Sequence, residues 1–277
     1  MTKDLTNKYH RLRTILQDLG SVAVAYSGGV DSTLLLKVAQ EVLGERILAI
    51  TADSETTPQQ ERKDAALLAR ELGVEHLVVA GRELELQEFL RNPTDKCYIC
   101  KKARFSELVK MARERGLNAV VDGGNLDDQA DFRPGMRAVE ELGIRSPLAE
   151  AGLTKAEIRL LSKRLKLPTW KKPAYACLAS RIPYHHEITV EKLRQIDAAE
   201  ELIRKRGLAT QVRVRHYGDT ARIEVEPVSI HRLAAKMVRS DLIKELKTLG
   251  FKFVTLDLEG YRTGSLNPAE VKTKTES

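Results

Sequence analysis

The sequence predicts an α/β fold: a doubly wound parallel sheet followed by a small α+β domain. Three observations carry this prediction. Short apolar, β-branched runs alternate with helical periodicities over the first part of the chain, the pattern of repeated strand–helix units whose sheet is covered on both faces. The first of these runs leads directly into a glycine pair. Beyond Leu167 the pattern changes, as Pro168, Pro173 and Pro183 break the chain ahead of two alternating strands.

Leu5, Tyr9, Leu12, Ile15, Leu16 and Leu19 share one helical face and make an opening amphipathic helix. Val22–Tyr26 reads as a buried strand, Ser32–Leu43 as a helix and Ile47–Thr51 as a strand. Pro58–Leu72 is a helix with proline in its first turn, where a missing N–H is no loss. Val74–Val79 follows as a strand, Lys101–Arg115 as a helix and Ala119–Asp122 as a strand. Thr154 is the N-cap candidate of a helix over Lys155–Leu165. Leu167–His186 lacks periodicity and reads as a linker or functional loop. The second domain offers a helix, Val190–Arg206, then strands Gln211–His216 and Arg222–Glu226 joined as a hairpin at Tyr217-Gly218-Asp219. Helices near Ser229–Met237 and Asp241–Leu249 precede a last strand, Phe253–Leu258. The expected domains are 1–186 and 187–265, with 266–277 a disordered tail.

The bulk properties bound the function classes. With 277 residues, 42% of them hydrophobic and 31% charged, the chain has the composition of a soluble protein with a sizeable core. No run reaches the roughly 18 apolar residues of a membrane helix, and the first thirty residues resemble no export signal. A cytoplasmic protein is expected. A net charge of +7 suits anionic ligands such as nucleotides. With aromatics at 5% and no basic tract interleaved with them, a nucleic-acid partner is not favoured. Three cysteines in a cytosolic chain point away from a disulfide framework and toward a metal or a reactive thiol.

Ser27-Gly28-Gly29-Val30-Asp31-Ser32 turns the chain from strand to helix. The two glycines let backbone approach an anion closely, the two serines add hydroxyl donors, and the new helix presents its positive end to a phosphate. Asp31 belongs in such a cradle when Mg²⁺ accompanies the phosphate. Neither G-x-x-x-x-G-K-[ST] nor G-x-G-x-x-G is present. S-G-G-x-D-S instead resembles the pyrophosphate loop of ATP pyrophosphatases, which transfer AMP to a substrate oxygen. In open parallel sheets ligands sit at the carboxyl ends of strands. The loops after the first and second strands are therefore expected to meet, with Ala52 and Ser54 flanking adenosine. Gly123-Gly124-Asn125-Leu126-Asp127-Asp128 also follows a strand. Asn125 can read a base or phosphate there, and the two aspartates either hold Mg²⁺ or cap a helix.

Cys97-Tyr98-Ile99-Cys100 is read as a loop entering the Lys101 helix, and Cys177 lies far downstream within Ala174–Arg181. A CxxC pair shares a metal or forms a redox couple. Three thiolates leave a zinc site incomplete unless His185 or His186 joins, and they hold a [4Fe–4S] cluster with one iron open. Arg213 and Arg215 alternate on one strand and so share a face, suited to a phosphate or carboxylate, or else simply solvated. Arg262 is a candidate for the same anion site.

Together Ser27–Ser32, Cys97–Cys100–Lys101, Gly123–Asp128, Ala176–Arg181 and Arg213-Val214-Arg215 resemble the LarE family, ATP-dependent sulfur transferases of nickel-pincer nucleotide cofactor biosynthesis. The resemblance spans nearly the whole chain and implies a PP-loop fold of the adenine nucleotide alpha hydrolase type. It implies that the carboxylates of a pyridinium-3,5-dicarboxylate mononucleotide are adenylylated and converted to thiocarboxylates. ATP and Mg²⁺ would be held by Ser27, Gly28, Gly29, Asp31, Ser32, Ala52, Ser54, Gly124, Asn125 and Asp128. Cys177, Asp31, Lys101 and Arg181 would be catalytic, with Arg213, Arg215 and Arg262 on the substrate. Family members use either a sacrificial cysteine at the position of Cys177 or a three-cysteine [4Fe–4S] cluster. The set Cys97, Cys100 and Cys177 favours the cluster. A tRNA thiolase of the same superfamily is the alternative reading, and a homo-oligomer is the assembly implied.

Overall fold

The computed structural model describes residues 2–129, 135–173 and 176–262; the expected tail over 266–277 lies outside them. In chain order the elements begin with α1 (Lys3–Leu19), β1 (Val22–Ala25), α2 (Val30–Leu43), β2 (Ile47–Asp53), α3 (Gln59–Glu71) and β3 (His76–Ala80). They continue with α4 (Gln87–Leu90), α5 (Lys96–Glu114), β4 (Ala119–Val121), α6 (Leu126–Gln129), α7 (Gly135–Glu141), α8 (Pro147–Glu150) and α9 (Lys155–Arg164). Last come α10 (Val190–Lys205), β5 (Val212–Tyr217), β6 (Thr220–Val225), α11 (Pro227–Ala234), α12 (Lys236–Thr248) and β7 (Phe253–Leu256). The chain divides into two compact units. One comprises Met1–Ser54, Gln59–Glu85 and Asp95–Tyr175; the other takes Glu55–Pro58, Leu86–Thr94 and the chain from Ala176 on.

The first unit is built on a four-stranded sheet in the order β3-β2-β1-β4, with every pair parallel. Alternation along the strands sends side chains to two separate cores. Val22, Val24, Ile47 and Ala49 pack with Leu12 and Leu16 of α1, Leu34 and Leu35 of α2, Ala65 of α3 and Ile158 of α9. Ala23, Leu48, Ile50 and Val120 pack on the other face with Leu108 and Ala112 of α5 and Val139 of α7. The sheet is therefore covered on both faces, as the doubly wound expectation requires. Local sequence sets the helix limits. Thr154 caps α9 in a reciprocal box with Glu157, and Thr2 and Thr189 accept from backbone N–H groups at the starts of α1 and α10.

The chain winds outward from β1 through β2 to β3, then crosses to the far side of β1 for β4. The reversal of strand order, where a ligand crevice opens, therefore lies between β1 and β4. One expectation needs correction. The CxxC pair is helical rather than in a loop, because α5 starts at Lys96, well ahead of Lys101. Nothing after Pro93 breaks a helix, and the Asp95 carbonyl accepts from the Tyr98 and Ile99 N–H groups to start the first turn.

In the second unit β5 and β6 form an antiparallel pair closed by the two-residue turn Gly218–Asp219, where Gly218 has φ 61°. β7 adds parallel to β6. Val212, Val214, Ile223 and Val225 pack with Ile203 of α10 and Leu242 and Leu246 of α12 in a core of their own.

Candidate active site

The loop after β1 is shaped by its own hydroxyls. Ser27 Oγ lies 3.1 Å from Ser32 Oγ, the Ser27 N–H donates to Ser32 Oγ at 3.3 Å, and the Gly29 N–H donates to Ser27 Oγ at 3.4 Å. Bonds this long are weak, and an arriving anion displaces them readily. Gly28 has φ 69°, and a Cβ there would stand 2.8 Å from the Cβ of Ala65. The fold alone demands that glycine. Gly29 has ordinary extended backbone, and a Cβ there would meet only Ser27 Oγ, at 3.3 Å. The fold leaves the space in front of Gly29 open.

Asp31 occupies the first turn of α2. Its Oδ2 pairs with Lys155 Nζ, while its Oδ1 is buried without a hydrogen-bond partner. Burial pushes the Asp31 carboxyl above its usual value, Lys155 opposes that shift, and Asp128 reinforces it. An orphaned, buried carboxylate oxygen beside a phosphate cradle fits a Mg²⁺ ligand. The loop after β4 abuts this one, since a Cβ at Gly123 would stand 3.0 Å from the Ser32 nitrogen. Asn125 Oδ1 accepts from the Asp127 N–H, Asp128 Oδ2 from the Asn125 N–H, and Asp127 Oδ2 from the Lys155 N–H. The acidic pair thus has capping partners at the starts of α6 and α9. The Gly124 N–H donates to Asp122 Oδ1, and Lys101 Nζ lies 3.8 Å from Asp122 Oδ2. Lys101, Asp31, Gly123 and Gly124 are thereby gathered at the carboxyl ends of β1 and β4.

Ala52 lies in β2 against the α5-side core. Ser54 is buried, and its hydroxyl bonds to Glu83 and to Arg104 of α5. This ties α5 to the end of β2. Two lysines escaped the sequence reading. Lys155 stands at the first position of α9, where the helix dipole disfavours a cation. That misfit is the signal that would have found it. Lys172 bonds the Gly28 carbonyl and pairs with Glu61 and Asp64 of α3, and a lysine in a proline-punctuated loop carries no such signal.

Cys97 and Cys100 sit at i and i+3 on α5, hence on one face of its first turns, Cys97 exposed and Cys100 partly buried. Cys177 is exposed, ahead of the turn Leu178–Arg181. Among the described residues no group of three or more His, Cys, Asp or Glu gathers into a metal-sized cluster. His185 and His186 are both exposed. Arg181 is fully buried and folds the Cys177 loop around itself. One nitrogen donates to the carbonyls of Ala176 (2.7 Å) and Cys177 (3.1 Å), and two others pair with Glu200. Burial pushes the Glu200 carboxyl up, but the Arg181 charge outweighs it and holds the group below its usual range.

Arg213 and Arg215 share a face of β5 and are 3% and 6% exposed, so they are not a solvated stripe. Arg215 bonds Glu224 through two nitrogens and the Ser180 carbonyl through a third. Arg213 donates to the Val212 carbonyl and stacks on Tyr261, its ring 5.1 Å away. Burial lowers the Arg213 pKa, and the Arg181 and Arg215 charges lower it further. Around this set Glu200 pairs with Arg181 and Arg204, and Glu224 with Arg215 and Arg222. Arg262 pairs instead with Glu259 on an exposed turn.

An α/β sheet with a hydroxyl-lined glycine loop and a half-buried aspartate at its switch point defines a nucleotide-using enzyme of the PP-loop class. Residues 12–116 match the asparagine synthase family model. The chain is 40% identical to the pyridinium-3,5-bisthiocarboxylic acid mononucleotide synthase of Lactiplantibacillus plantarum, over 98% of this chain and 97% of that protein. It is 44% identical to an uncharacterised protein of Synechocystis over 95% of this chain and 98% of the other. It is 32% identical to one of Methanocaldococcus jannaschii over 87% and 91%. The chain belongs to the LarE family of ATP-using sulfur transferases. No described helix is long and apolar enough to cross a membrane.

Proposed function

We propose that this enzyme adenylylates the carboxylates of pyridinium-3,5-dicarboxylate mononucleotide and converts them to thiocarboxylates. The observation that carries the reading is full-length identity of 40% to a synthase named for that product. A substrate carboxylate oxygen attacks the α-phosphorus of ATP, the bond to the β-phosphate oxygen breaks, and pyrophosphate leaves. A sulfur nucleophile then adds to the acyl carbon and displaces AMP. Gly29 admits the phosphates to the backbone N–H groups of Ser27–Ser32, and Asp31 Oδ1 with its neighbours would hold Mg²⁺, which neutralises the leaving pyrophosphate. Lys101 and Lys155 add positive charge at the same crevice. Arg213 and Arg215, two buried guanidiniums on one face of β5, take the mononucleotide phosphate. Arg181 acts through the Cys177 loop, whose carbonyls it holds.

Cys177 is the sulfur centre in this reading. In this reading Cys97, Cys100 and Cys177 would be the three thiolate ligands of a [4Fe–4S] cluster, and such a cluster would supply a reloadable sulfide. The enzyme works in the cytoplasm as a homo-oligomer. Pyrophosphate release from ATP is expected with the pyridinium dicarboxylate mononucleotide and not with tRNA; release with tRNA alone would favour the thiolase instead. Substitution of Cys97, Cys100 or Cys177 is expected to abolish bound iron and multiple turnover alike. If Cys177 alone is indispensable and the chain loses about 34 Da, the mass of H₂S, after one turnover, Cys177 is the sacrificial donor.

A further inference from the structure

Lys172 has no place in the chemistry described so far, yet it stands against the phosphate loop. Its ammonium lies 3.3 Å from the Gly28 carbonyl, 2.9 Å from a Glu61 oxygen and 3.6 Å from Asp64, with its side chain only 14% exposed and that of Glu61 11%. The same turn of α3 carries Ala65, the residue Gly28 packs against. A flexible stem thus carries a charge that two partners claim: the carboxylates of α3 and the loop that takes the nucleotide. A polyphosphate brings several negative charges where Glu61 and Asp64 bring two, and partial burial strengthens that competition.

We propose that Lys172 is a polyphosphate-responsive residue, held by Glu61 and Asp64 and passing to the β- and γ-phosphates when ATP binds. This rests on the ATP reading above. It makes Glu61 a competitor of the ligand, so the two substitutions act in opposite directions. Binding of magnesium pyrophosphate and of AMP to the full chain, followed by titration calorimetry, tests it. Lys172→Met is expected to weaken pyrophosphate about tenfold, the scale of one lost charge-assisted contact, and to leave AMP unchanged. Lys172→Arg should retain most of the affinity. Glu61→Gln should tighten pyrophosphate several-fold, and that gain should vanish in the double variant with Lys172→Met. Should Lys172→Met misfold, Lys172→Arg and Glu61→Gln still decide the matter. Unchanged pyrophosphate binding in Lys172→Met, or weaker binding in Glu61→Gln, would reduce Lys172 to a structural clamp. A wild-type chain that binds no pyrophosphate would overturn the ATP reading and this proposal together.

Discussion

Gly28 and Gly29 are neighbours with opposite reasons for being glycine. Gly28 needs a positive φ and a close approach to Ala65, both of which the fold imposes. At Gly29 the backbone is ordinary and a methyl group meets only the Ser27 hydroxyl, at 3.3 Å, which a small rotation relieves. Gly28→Ala should therefore lose about 1–2 kcal/mol of stability from the left-handed conformation alone, and its melting temperature should fall. Gly29→Ala should melt like wild type and lose ATP binding in an equilibrium titration. Retained ATP affinity in a well-folded Gly29→Ala chain would remove the phosphate from this loop. The sequence names both residues, but only the structure separates their roles. Lys155 and Lys172 were less legible, because lysines acquire meaning from what they reach in space.

The elements hold these residues through buried polar contacts. Thr51 Oγ donates to the Tyr26 carbonyl (2.7 Å) and must therefore accept from His76 Nε2–H (2.8 Å), which fixes the tautomer and pins the end of β1. Burial lowers the His76 pKa from 6.5. Below that value the unfolded chain takes up a proton that the folded chain refuses, so stability is full above pH 6.5 and falls as the pH drops through it. His76→Phe should flatten the acid limb of melting temperature against pH, and an unaltered limb would contradict this. Arg181→Met strips Glu200 of its two-nitrogen partner and leaves it Arg204 at 3.3 Å and the Val214 N–H, an expected loss of about 3 kcal/mol in denaturant unfolding, whereas a solvated role for Arg181 would cost little. Strands were legible from apolar runs and α9 from its cap, because both signals are local. The start of α5 was not. Pro93 and Asp95 resemble a loop until the Asp95 carbonyl is seen accepting the first helical bonds.

For the whole molecule, the parallel order β3-β2-β1-β4 accounts for where the chemistry gathers. Strand reversal beside β1 brings the loops of Ser27–Ser32 and Gly123–Asp128 together. The alternating pattern announced a parallel sheet, but strand order is a long-range property that local periodicity does not encode. The second unit contributes two buried arginines on one face of β5; their alternation is legible in the sequence, their burial is not. The central claim is that ATP activates a carboxylate oxygen for displacement by sulfur. It is tested most directly with mononucleotide carrying oxygen-18 in its carboxylates, incubated with the enzyme and MgATP and followed by mass spectrometry of AMP. One labelled oxygen in AMP for each thiocarboxylate formed is the predicted result. Unlabelled AMP, or ADP with inorganic phosphate in its place, would contradict the account.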